Sequence, residues 1–296
     1  MTRSGFIALA GRPNVGKSTL ANAIVGSKVA IVSDKPQTTR RAIRAMANGP
    51  GWQLVLVDLP GVQRPRDALT ERMQRRVEHE LADADGCLLV LNAEQGIGPG
   101  DRFIAGMLAR AGASTPVVIA VNKVDRTDRG KTARILQEAA EIGVGDEIFP
   151  VSARTGSGVS GLVEYLVALL PEGPMYFGAQ QRSDQSESVV LAELVREQVL
   201  ARTREEVPHA VEVEIASIEQ QHHPDLVRLE AVVLVETESQ KGILIGAGGK
   251  MIKSIGTAAR RAIERELGMR VHLALSVRVR RHWRADERVL DRLGIE

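Results

Sequence analysis

The sequence predicts an α/β domain with a mostly parallel sheet and helices on both faces, followed by an α+β domain. The first part of this prediction rests on short apolar runs that alternate with helix-like stretches, a pattern typical of βαβ units. The second rests on a change of pattern after Pro171, where a helix is followed by two strands before the next helix. A length of 296 residues suits two domains of ordinary size.

The elements of the first domain alternate along the chain. Strands are predicted at residues 6–10, 54–57, 87–91, 117–121 and 148–151, and the clearest helices at residues 69–81 and 158–170. Strands joined through helices are usually parallel, so these units favour a parallel sheet. Pro171 and Pro174 end the last helix. We therefore predict domains at residues 1–172 and 188–296, with a linker at residues 173–187.

The second domain is expected to contain a half-buried sheet. Its predicted elements are a helix at residues 189–205, strands at 210–219 and 227–236, a helix at 250–267 and a strand at 271–280. Apolar residues recur at helical spacing from Ile252 to Ile263, whereas every second residue from Val271 to Val279 is apolar. The last strand should therefore bury one face only.

Composition and charge limit the function classes. With 44% hydrophobic and 26% charged residues the chain has a globular composition, and no stretch approaches the roughly 20 apolar residues of a membrane span. Residues 1–10 resemble no signal peptide, so we expect a cytoplasmic protein. Cys87 lies in an apolar run and is predicted to be a buried thiol. Residues 239–296 hold 13 Lys and Arg against 6 Asp and Glu, which fits either an anionic partner or a solvated charged face.

A glycine-rich loop after the first strand predicts a phosphate-binding site. Gly11-Arg-Pro-Asn-Val-Gly-Lys-Ser18 matches the pattern G-x-x-x-x-G-K-[ST] between a strand and a helix, a context that a chance glycine-rich turn would lack. Lys17 is expected to contact the β- and γ-phosphates and the Ser18 hydroxyl to bind Mg²⁺. The predicted nucleotide contacts of this loop are Gly11, Arg12, Pro13, Asn14, Val15, Gly16, Lys17, Ser18 and Thr19.

Asn122-Lys-Val-Asp125, after the strand at residues 117–121, predicts which base is bound. The Asp125 carboxylate can accept from the ring N–H and the exocyclic amine of guanine, a donor pair that adenine lacks. A site built on such bonds rejects the wrong base by about 10⁴-fold, so GTP and GDP are the predicted ligands. Asn122 is expected to support the loop and Lys123 to pack on the base. The segment Ser152-Ala153-Arg154 would offer a backbone N–H to guanine.

Asp58-Leu59-Pro60-Gly61 follows another predicted strand and extends the nucleotide contacts. The Asp58 carboxylate is expected near the Mg²⁺, and the Gly61 N–H can meet a γ-phosphate. This loop, like the others, leaves the carboxyl end of a parallel strand, where open α/β sheets bind ligands. Together these residues look like the site of a translation-factor-type GTPase.

The switch segment that senses the γ-phosphate is predicted at residues 33–40. Thr39 is the first choice for a hydroxyl that binds Mg²⁺ beside Ser18 and Asp58, and Thr38 is the second. The alternative is that both threonines only begin the next strand. The predicted catalytic residues are Lys17, Thr39, Gly61 and Asn14.

A second glycine-rich turn, Gly246-Ala-Gly-Gly249, precedes a helix that starts with Lys250. Such a Gly-x-x-Gly turn brings backbone N–H groups against nucleic acid in KH modules, and the order α-β-β-α-α-β around it matches a type II KH domain. Nearby basic side chains would contact phosphates. The predicted RNA contacts are Gly246, Ala247, Gly248, Gly249, Lys250 and Lys253.

The whole chain resembles the Era family of bacterial GTPases, which carry a C-terminal KH domain. The resemblance rests on Pro36-Gln-Thr-Thr-Arg40, Gly98-Pro-Gly-Asp101, Arg204-Glu-Glu-Val-Pro208, Ser239-Gln-Lys-Gly-Ile243 and His282-Trp-Arg-Ala-Asp286. It implies recognition of the 3′ end of small-subunit ribosomal RNA and a role in small-subunit assembly. It also implies peripheral association with the cytoplasmic face of the membrane, and no DNA binding is expected.

Two residues depart from the family's motifs, the linker from Gly178 to Glu187 matches only loosely, and one residue departs from the motif of Ras-like GTPases. Leu59 replaces a threonine that is usual in the family, which should be tolerated because that side chain does not contact the nucleotide. Ala247 replaces a usual lysine and removes one phosphate contact. Val62 stands where Ras-like GTPases carry the glutamine that orients water, so slow hydrolysis is expected.

Asn14 either binds a potassium ion that bridges the phosphates, as in GTPases resembling this one, or only shapes the loop.

Two other functions remain open at this stage. An RNA chaperone with a structural nucleotide domain would show no turnover, although the intact Lys17, Ser18, Asp58 and Asp125 favour an enzyme. A membrane-peripheral signalling GTPase would bind no RNA, which the KH turn disfavours.

Overall fold

The computed structural model describes residues 2–35, 37–62, 65–111, 115–145, 147–220 and 226–295. Pro36, part of the predicted switch segment, and the terminal residues Met1 and Glu296 lie outside these ranges. The strands of the first sheet are β1 (Arg3–Ala10), β2 (Ile43–Gly49), β3 (Trp52–Asp58), β4 (Gly86–Asn92), β5 (Val117–Asn122) and β6 (Glu147–Pro150). Its helices are α1 (Lys17–Val25), α2 (Ala68–Asp83), α3 (Pro99–Ala111), α4 (Arg129–Ala140) and α5 (Val159–Leu169).

The first sheet has the order β2-β3-β1-β4-β5-β6, and every neighbouring pair is parallel except β2 and β3. All seven residues of β4 are buried, because helices cover both faces of the sheet. Two apolar clusters fill the space between the sheet and its helices, one on each face. Cys87 lies in one of them, where burial raises the pKa of its thiol to about 12.

The predicted linker lies along β2 at the edge of this sheet. The Met46 N–H donates to the Arg182 carbonyl over 3.0 Å, and the Asp184 N–H donates to the Arg44 carbonyl over 3.2 Å. These bonds occupy backbone groups that an edge strand would otherwise expose. The linker is therefore packed on the first domain over this stretch.

The second domain contains α6 (Glu187–Arg202), α7 (Val207–Ala210), β7 (Glu212–Gln220), β8 (Leu226–Val235), α8 (Glu238–Ile245), α9 (Lys250–Leu267), β9 (Arg270–Val279) and α10 (Glu287–Arg292). Its sheet has the order β7-β8-β9, with β7 antiparallel and β9 parallel to β8. The helix predicted to residue 205 ends at Arg202, because Thr203 is extended and its hydroxyl donates to the Val199 carbonyl. The strand predicted from residue 210 starts at Glu212, because a short helix with Pro208 in its first turn precedes it.

A further apolar cluster joins the two domains. Leu69 and Met73 of α2 pack with Val232 and Leu234 of β8 and with Trp283, and the C-terminal residues Val289, Leu290, Leu293 and Ile295 complete the cluster. The indole N–H of Trp283 donates to the Ala210 carbonyl over 2.8 Å. In the described part of the chain, no helix is both long and apolar enough to cross a bilayer.

Candidate functional site

The loop between β1 and α1 is shaped by close approaches that exclude side chains. Gly11 has a φ of 151°, and a Cβ there would lie 2.6 Å from the Val90 carbonyl oxygen. Gly16 has a φ of 102°, and a Cβ would lie 2.3 Å from Nδ2 of Asn122. The loop can therefore close over the ends of β4 and β5 only because both positions are glycine.

Lys17 is held over the centre of this loop. Its Nζ donates to the carbonyls of Gly11 and Arg12 over 2.9 and 3.1 Å, and the residue is 6% exposed. Burial lowers the pKa of Lys17 to about 8, and the nearby Asp58 carboxylate opposes that shift. A phosphate in the loop would supply negative charge to an ammonium that has lost most of its water.

The three predicted Mg²⁺ ligands converge. Ser18 Oγ lies 2.6 Å from Asp58 Oδ2 and 3.0 Å from Thr39 Oγ1. Asp58 Oδ1 is buried with no hydrogen-bond partner among the residues that the structure describes, and burial raises the pKa of this carboxyl to about 6. Two hydroxyls and an unsatisfied carboxylate oxygen suit a hard cation such as Mg²⁺. The Thr38 hydroxyl instead donates to the Lys35 carbonyl over 2.6 Å, which favours Thr39 as the ligand.

The predicted base-binding residues form a second group. The Asp125 carboxylate accepts from Ser152 Oγ at 2.6 Å and from Arg154 Nη2 at 2.7 Å. The hydrogen bond from Ser152 lowers the pKa of Asp125 most, and Arg154 adds to that shift. Asp125 is therefore held as a carboxylate, the form that accepts hydrogen bonds from guanine.

Asn122 and Lys123 connect this group to the phosphate loop. Asn122 Nδ2 donates to the Val15 carbonyl over 3.0 Å, and its Oδ1 accepts from the Ala153 N–H at 3.0 Å. Lys123 Nζ donates to the Asn14 carbonyl over 2.8 Å. The supporting role predicted for Asn122 thus has a structural counterpart, and the two loops keep a fixed separation.

Arg12 points away from the cluster of predicted ligands, and its partner was not identified from the sequence. Its Nε donates to Asp101 Oδ1 over 2.8 Å, while Asp101 Oδ2 accepts from the Gly98 N–H. A Cβ on Gly100 would lie 2.8 Å from Arg12 Cδ. The Gly98-Pro-Gly-Asp101 motif, which in the sequence indicated only a resemblance to the family, therefore fixes the outer side of the phosphate loop.

The Asp58-Leu59-Pro60-Gly61 segment lies against the phosphate loop. A Cβ on Gly61 would come within 2.8 Å of the Pro13 nitrogen, so Gly61 allows the two loops to touch. Leu59 is fully buried in the apolar core, consistent with the prediction that its side chain does not contact the nucleotide. Val62 is also buried there, at 7% exposure.

The Gly246–Gly249 turn connects α8 to α9. Ile245 ends α8, Gly248 and Gly249 have φ values of 59° and 74°, and α9 starts at Lys250. Ala247, Gly248, Lys250 and Lys253 are exposed. Backbone groups and two lysines are thus presented together at the start of a helix.

A groove beside this turn runs between α9 and β9. Its lining combines apolar Ile252, Leu273 and Leu275 with basic Lys253 and Arg260. Apolar side chains can pack against bases while basic groups meet phosphates, so the groove suits a single-stranded nucleic acid.

A buried ionic cluster between the domains was missed from the sequence. Arg40 Nη1 lies 2.7 Å from Glu212 Oε2, and both side chains are fully buried. Arg41 and Arg196 lie 3.5 and 3.9 Å from the other oxygen, Glu212 Oε1. Although burial alone would raise it, the pKa of Glu212 is lowered to about 2 by Arg41, Arg40 and Arg196. Only the threonines of the switch segment had a predicted role, yet Arg40 within it and Arg41 next to it connect it to the second domain.

Two family models match the chain. One, described as a 50S ribosome-binding GTPase, matches residues 6–123, and the other, a KH domain, matches residues 206–284. GTPase Era of Mycobacterium avium is 44% identical over 295 residues, covering 99% of this chain and 98% of that protein. GTPase Era of Mycobacterium tuberculosis is 44% identical over 294 residues, covering 98% of each.

Solved structures agree with these sequence matches. A crystal structure of Era in complex with MgGDPNP and nucleotides 1506–1542 of 16S ribosomal RNA superposes with a TM-score of 0.95 at 33% identity, over 100% of this chain and 99% of that one. A variant of Aquifex aeolicus Era bound to GDP and AlF4⁻ gives the same TM-score and identity, over 99% of both chains.

Proposed function

Because this chain belongs to the Era family of GTPases, we propose that it binds and hydrolyses GTP and that its GTP cycle controls binding of small-subunit ribosomal RNA. One observation carries this proposal. Ser18, Thr39 and Asp58 converge at one end of the site, while Asp125 stands as a fixed carboxylate at the other. A guanine nucleotide with Mg²⁺ has matching chemistry at both ends.

Different residues of the site would have different roles in hydrolysis. Ser18, Thr39 and Asp58 would hold Mg²⁺, which when bound neutralises charge on the β- and γ-phosphates. Lys17 adds a second positive charge from the loop, and the Gly61 N–H is available to the γ-phosphate. Val62 is buried and aliphatic, so it cannot orient the water. We therefore expect slow hydrolysis by the protein alone.

RNA is proposed to bind at the Gly246–Gly249 turn and in the groove between α9 and β9. The support is the exposed glycine turn, the two nearby lysines and the 16S ribosomal RNA fragment in the solved Era complex. By that similarity the RNA would be the 3′ end of the small-subunit ribosomal RNA, and the cellular role assembly of that subunit.

Further parts of the proposal are finer. We propose a GTPase domain at residues 1–172, a linker at 173–187 and a KH domain at 188–296. The protein would act in the cytoplasm, with peripheral contact to the inner face of the membrane, and no DNA partner is expected. Potassium would be a second cation at the phosphates, near Asn14.

The test is RNA binding by the full chain with a GTP analogue, with GDP and without nucleotide. The probe is an RNA of the 16S 3′ end, and DNA of the same sequence is the control. We expect tightest RNA binding with the analogue and weak DNA binding at matched salt. Equal RNA affinity in all three states, with no GTP turnover, would instead support an RNA chaperone with a structural nucleotide domain. Turnover without RNA binding would support a signalling GTPase, which binding to anionic lipid vesicles would test.

A further inference from the structure

One face of α6, the first helix of the second domain, contacts the switch segment and its flanks at several points. Glu197 Oε1 accepts from the Val32 N–H at 3.2 Å, and its Oε2 lies 2.6 Å from Lys28 Nζ. Arg196 donates from Nη2 to the Thr38 carbonyl. Glu193 Oε1 accepts from Arg41 Nη1 at 3.1 Å. Residues spaced by three and four along a helix share one side of it, so α6 presents a single surface to this loop.

Arg196 has the most deeply buried side chain of these three α6 residues. It is fully buried, and its Nε and Nη2 donate to the two oxygens of Glu193 over 2.9 and 2.7 Å. Within the described ranges, its Nη1 is buried without a hydrogen-bond partner. A buried guanidinium with an unsatisfied donor is energetically costly, so its position calls for an explanation.

The Thr38 carbonyl belongs to the peptide bond that precedes Thr39. Because a peptide group is planar, fixing this carbonyl also fixes the orientation of the Thr39 N–H and Cα. On the other side, Arg40 donates to the Val211 carbonyl over 2.5 Å and pairs with Glu212. Thr39 therefore stands between two contacts that both come from the second domain, and its hydroxyl lies 3.0 Å from Ser18 Oγ.

We infer that Arg196 is a positioning residue for GTP hydrolysis, which acts by holding the Thr38 carbonyl so that Thr39 faces the cation site. This inference rests on the proposed function. It means that the second domain, in addition to binding RNA, completes the metal end of the nucleotide site, which is the end formed by Ser18, Thr39 and Asp58. Removing the contact leaves the chemistry of Ser18, Thr39 and Asp58 intact but lets the loop that carries Thr39 move. Small misplacements of such groups reduce rates strongly.

The test compares Arg196→Met and Arg196→Lys with wild type in the full chain. The methionine variant removes the guanidinium that pairs with both oxygens of Glu193, leaves this carboxylate only its contact with Arg41 and can fail to fold, whereas lysine keeps the charge but lacks the planar fork. For the lysine variant we expect the Mg²⁺ concentration for half-maximal turnover to rise about tenfold, with GDP affinity unchanged. Hydrogen–deuterium exchange of residues 37–42 in the nucleotide-free protein should also rise.

Arg44→Met is the matched control. Arg44 pairs with Glu80 over 3.0 Å and with Asp184 of the linker over 3.6 Å, away from the cation site. The Arg44→Met variant should change neither the Mg²⁺ dependence of turnover nor the hydrogen–deuterium exchange of residues 37–42. Wild-type Mg²⁺ dependence and wild-type exchange in Arg196→Lys would overturn the inference and leave Arg196 a purely structural residue. If the wild-type protein shows no turnover, the proposed function fails, while the exchange measurement still decides whether Arg196 orders the segment.

Discussion

The two ends of the nucleotide site are built in different ways. At the base end, Asn122 and Asp125 are held by Val15, Ala153 and Ser152, all of the first domain. At the metal end, the residues on both sides of Thr39 are held by Arg196 and Glu212 of the second domain. The base end can therefore keep its shape while the metal end depends on how the domains meet. We therefore propose that recognition of guanine is local, whereas sensing of the γ-phosphate is shared between the domains.

The difference has a physical basis in the backbone. Base-end residues follow directly from β5 and β6, whose ladder bonds fix where each loop begins. Residues 31–42 of the metal end contain no helix or strand in their described part. Their ordering must come from side-chain contacts, and the buried charges around Glu212 supply them. Such a segment can change conformation without unfolding a sheet.

The largest expected effect on ligand binding concerns the base end. Asp125→Asn should weaken GTP binding by about 10²-fold or more. The carboxylate accepts with two oxygens, whereas the amide has one oxygen and an NH₂ group that would face a guanine donor. Xanthine nucleotides should bind more tightly, since their exocyclic oxygen can accept from the new amide. Competition binding of GTP and XTP to both proteins measures the change.

The matched control for this variant is Asp128→Asn. Asp128 is the N-cap of α4 and accepts from the Lys131 N–H, so asparagine can replace it. GTP affinity should stay at the wild-type value in this control. Unchanged GTP affinity in Asp125→Asn would show that guanine is recognised elsewhere.

The second effect concerns the metal end. Glu212→Gln removes the central anion of the interdomain cluster and should cost about 3–5 kcal/mol of stability at neutral pH, because it leaves the buried Arg40 guanidinium without its carboxylate partner. The folded protein lowers the pKa of Glu212 from 4.5 to about 2. Its contribution is therefore fully present above about pH 4.5 and lost as the pH falls toward about 2.

The free energies of unfolding of wild type and Glu212→Gln should thus converge on acidification. Glu230→Gln is the control, because its pair with Arg228 is exposed and should contribute only about 0–1 kcal/mol. A difference between wild type and Glu212→Gln that stays constant from about pH 7 to about pH 3 would contradict ionisation of Glu212 as the cause.

The contrast between the two ends also explains what the sequence could predict. The base end and the phosphate loop lie within short motifs next to strands, so their residue types and spacing were sufficient. The cluster around Glu212 joins residues separated by 171 and 172 positions, and no local pattern pairs Arg40 with Val211 or Glu212. Strand β2 was missed because small residues such as Ala45 and Ala47 give little alternation, and it is stabilised by pairing with β3.

A third effect lies outside both ends. Replacing Ala247 and Gly248 with Asp should weaken RNA binding about 10- to 100-fold, because two negative charges would face the phosphates. Gly248 has a φ of 59°, a conformation that Asp tolerates better than most residues, so the turn should persist. Guanine nucleotide affinity should not change. The measurement is RNA binding at fixed salt with the GTP analogue present.

Ala247→Lys provides the opposite variant. Ala247 is exposed, so lysine can be accommodated and should add one phosphate contact. RNA affinity should rise. In a plot of the logarithm of RNA affinity against the logarithm of salt concentration, the negative slope should become steeper by about one unit. RNA affinity unaffected by either charge change would place the RNA surface away from this turn.

The smallest expected effect separates the two roles open to Asn14, whose Nδ2 donates to the Asp34 carbonyl of the switch segment over 2.7 Å. The residue can therefore act through this contact, through a cation bound at Oδ1, or through both. Asn14→Ala removes both, whereas Asn14→Asp keeps an oxygen for the cation and loses the N–H donor. If Oδ1 binds potassium, the wild-type turnover rate in potassium should be a few-fold higher than the rate in sodium at matched ionic strength. The ratio of the two rates is the quantity to compare. That ratio should persist in Asn14→Asp and vanish in Asn14→Ala. If Asn14 only holds the loop, both variants should slow turnover equally in the two salts. Asn14 would then act at the metal end of the site only through its contact with the switch segment.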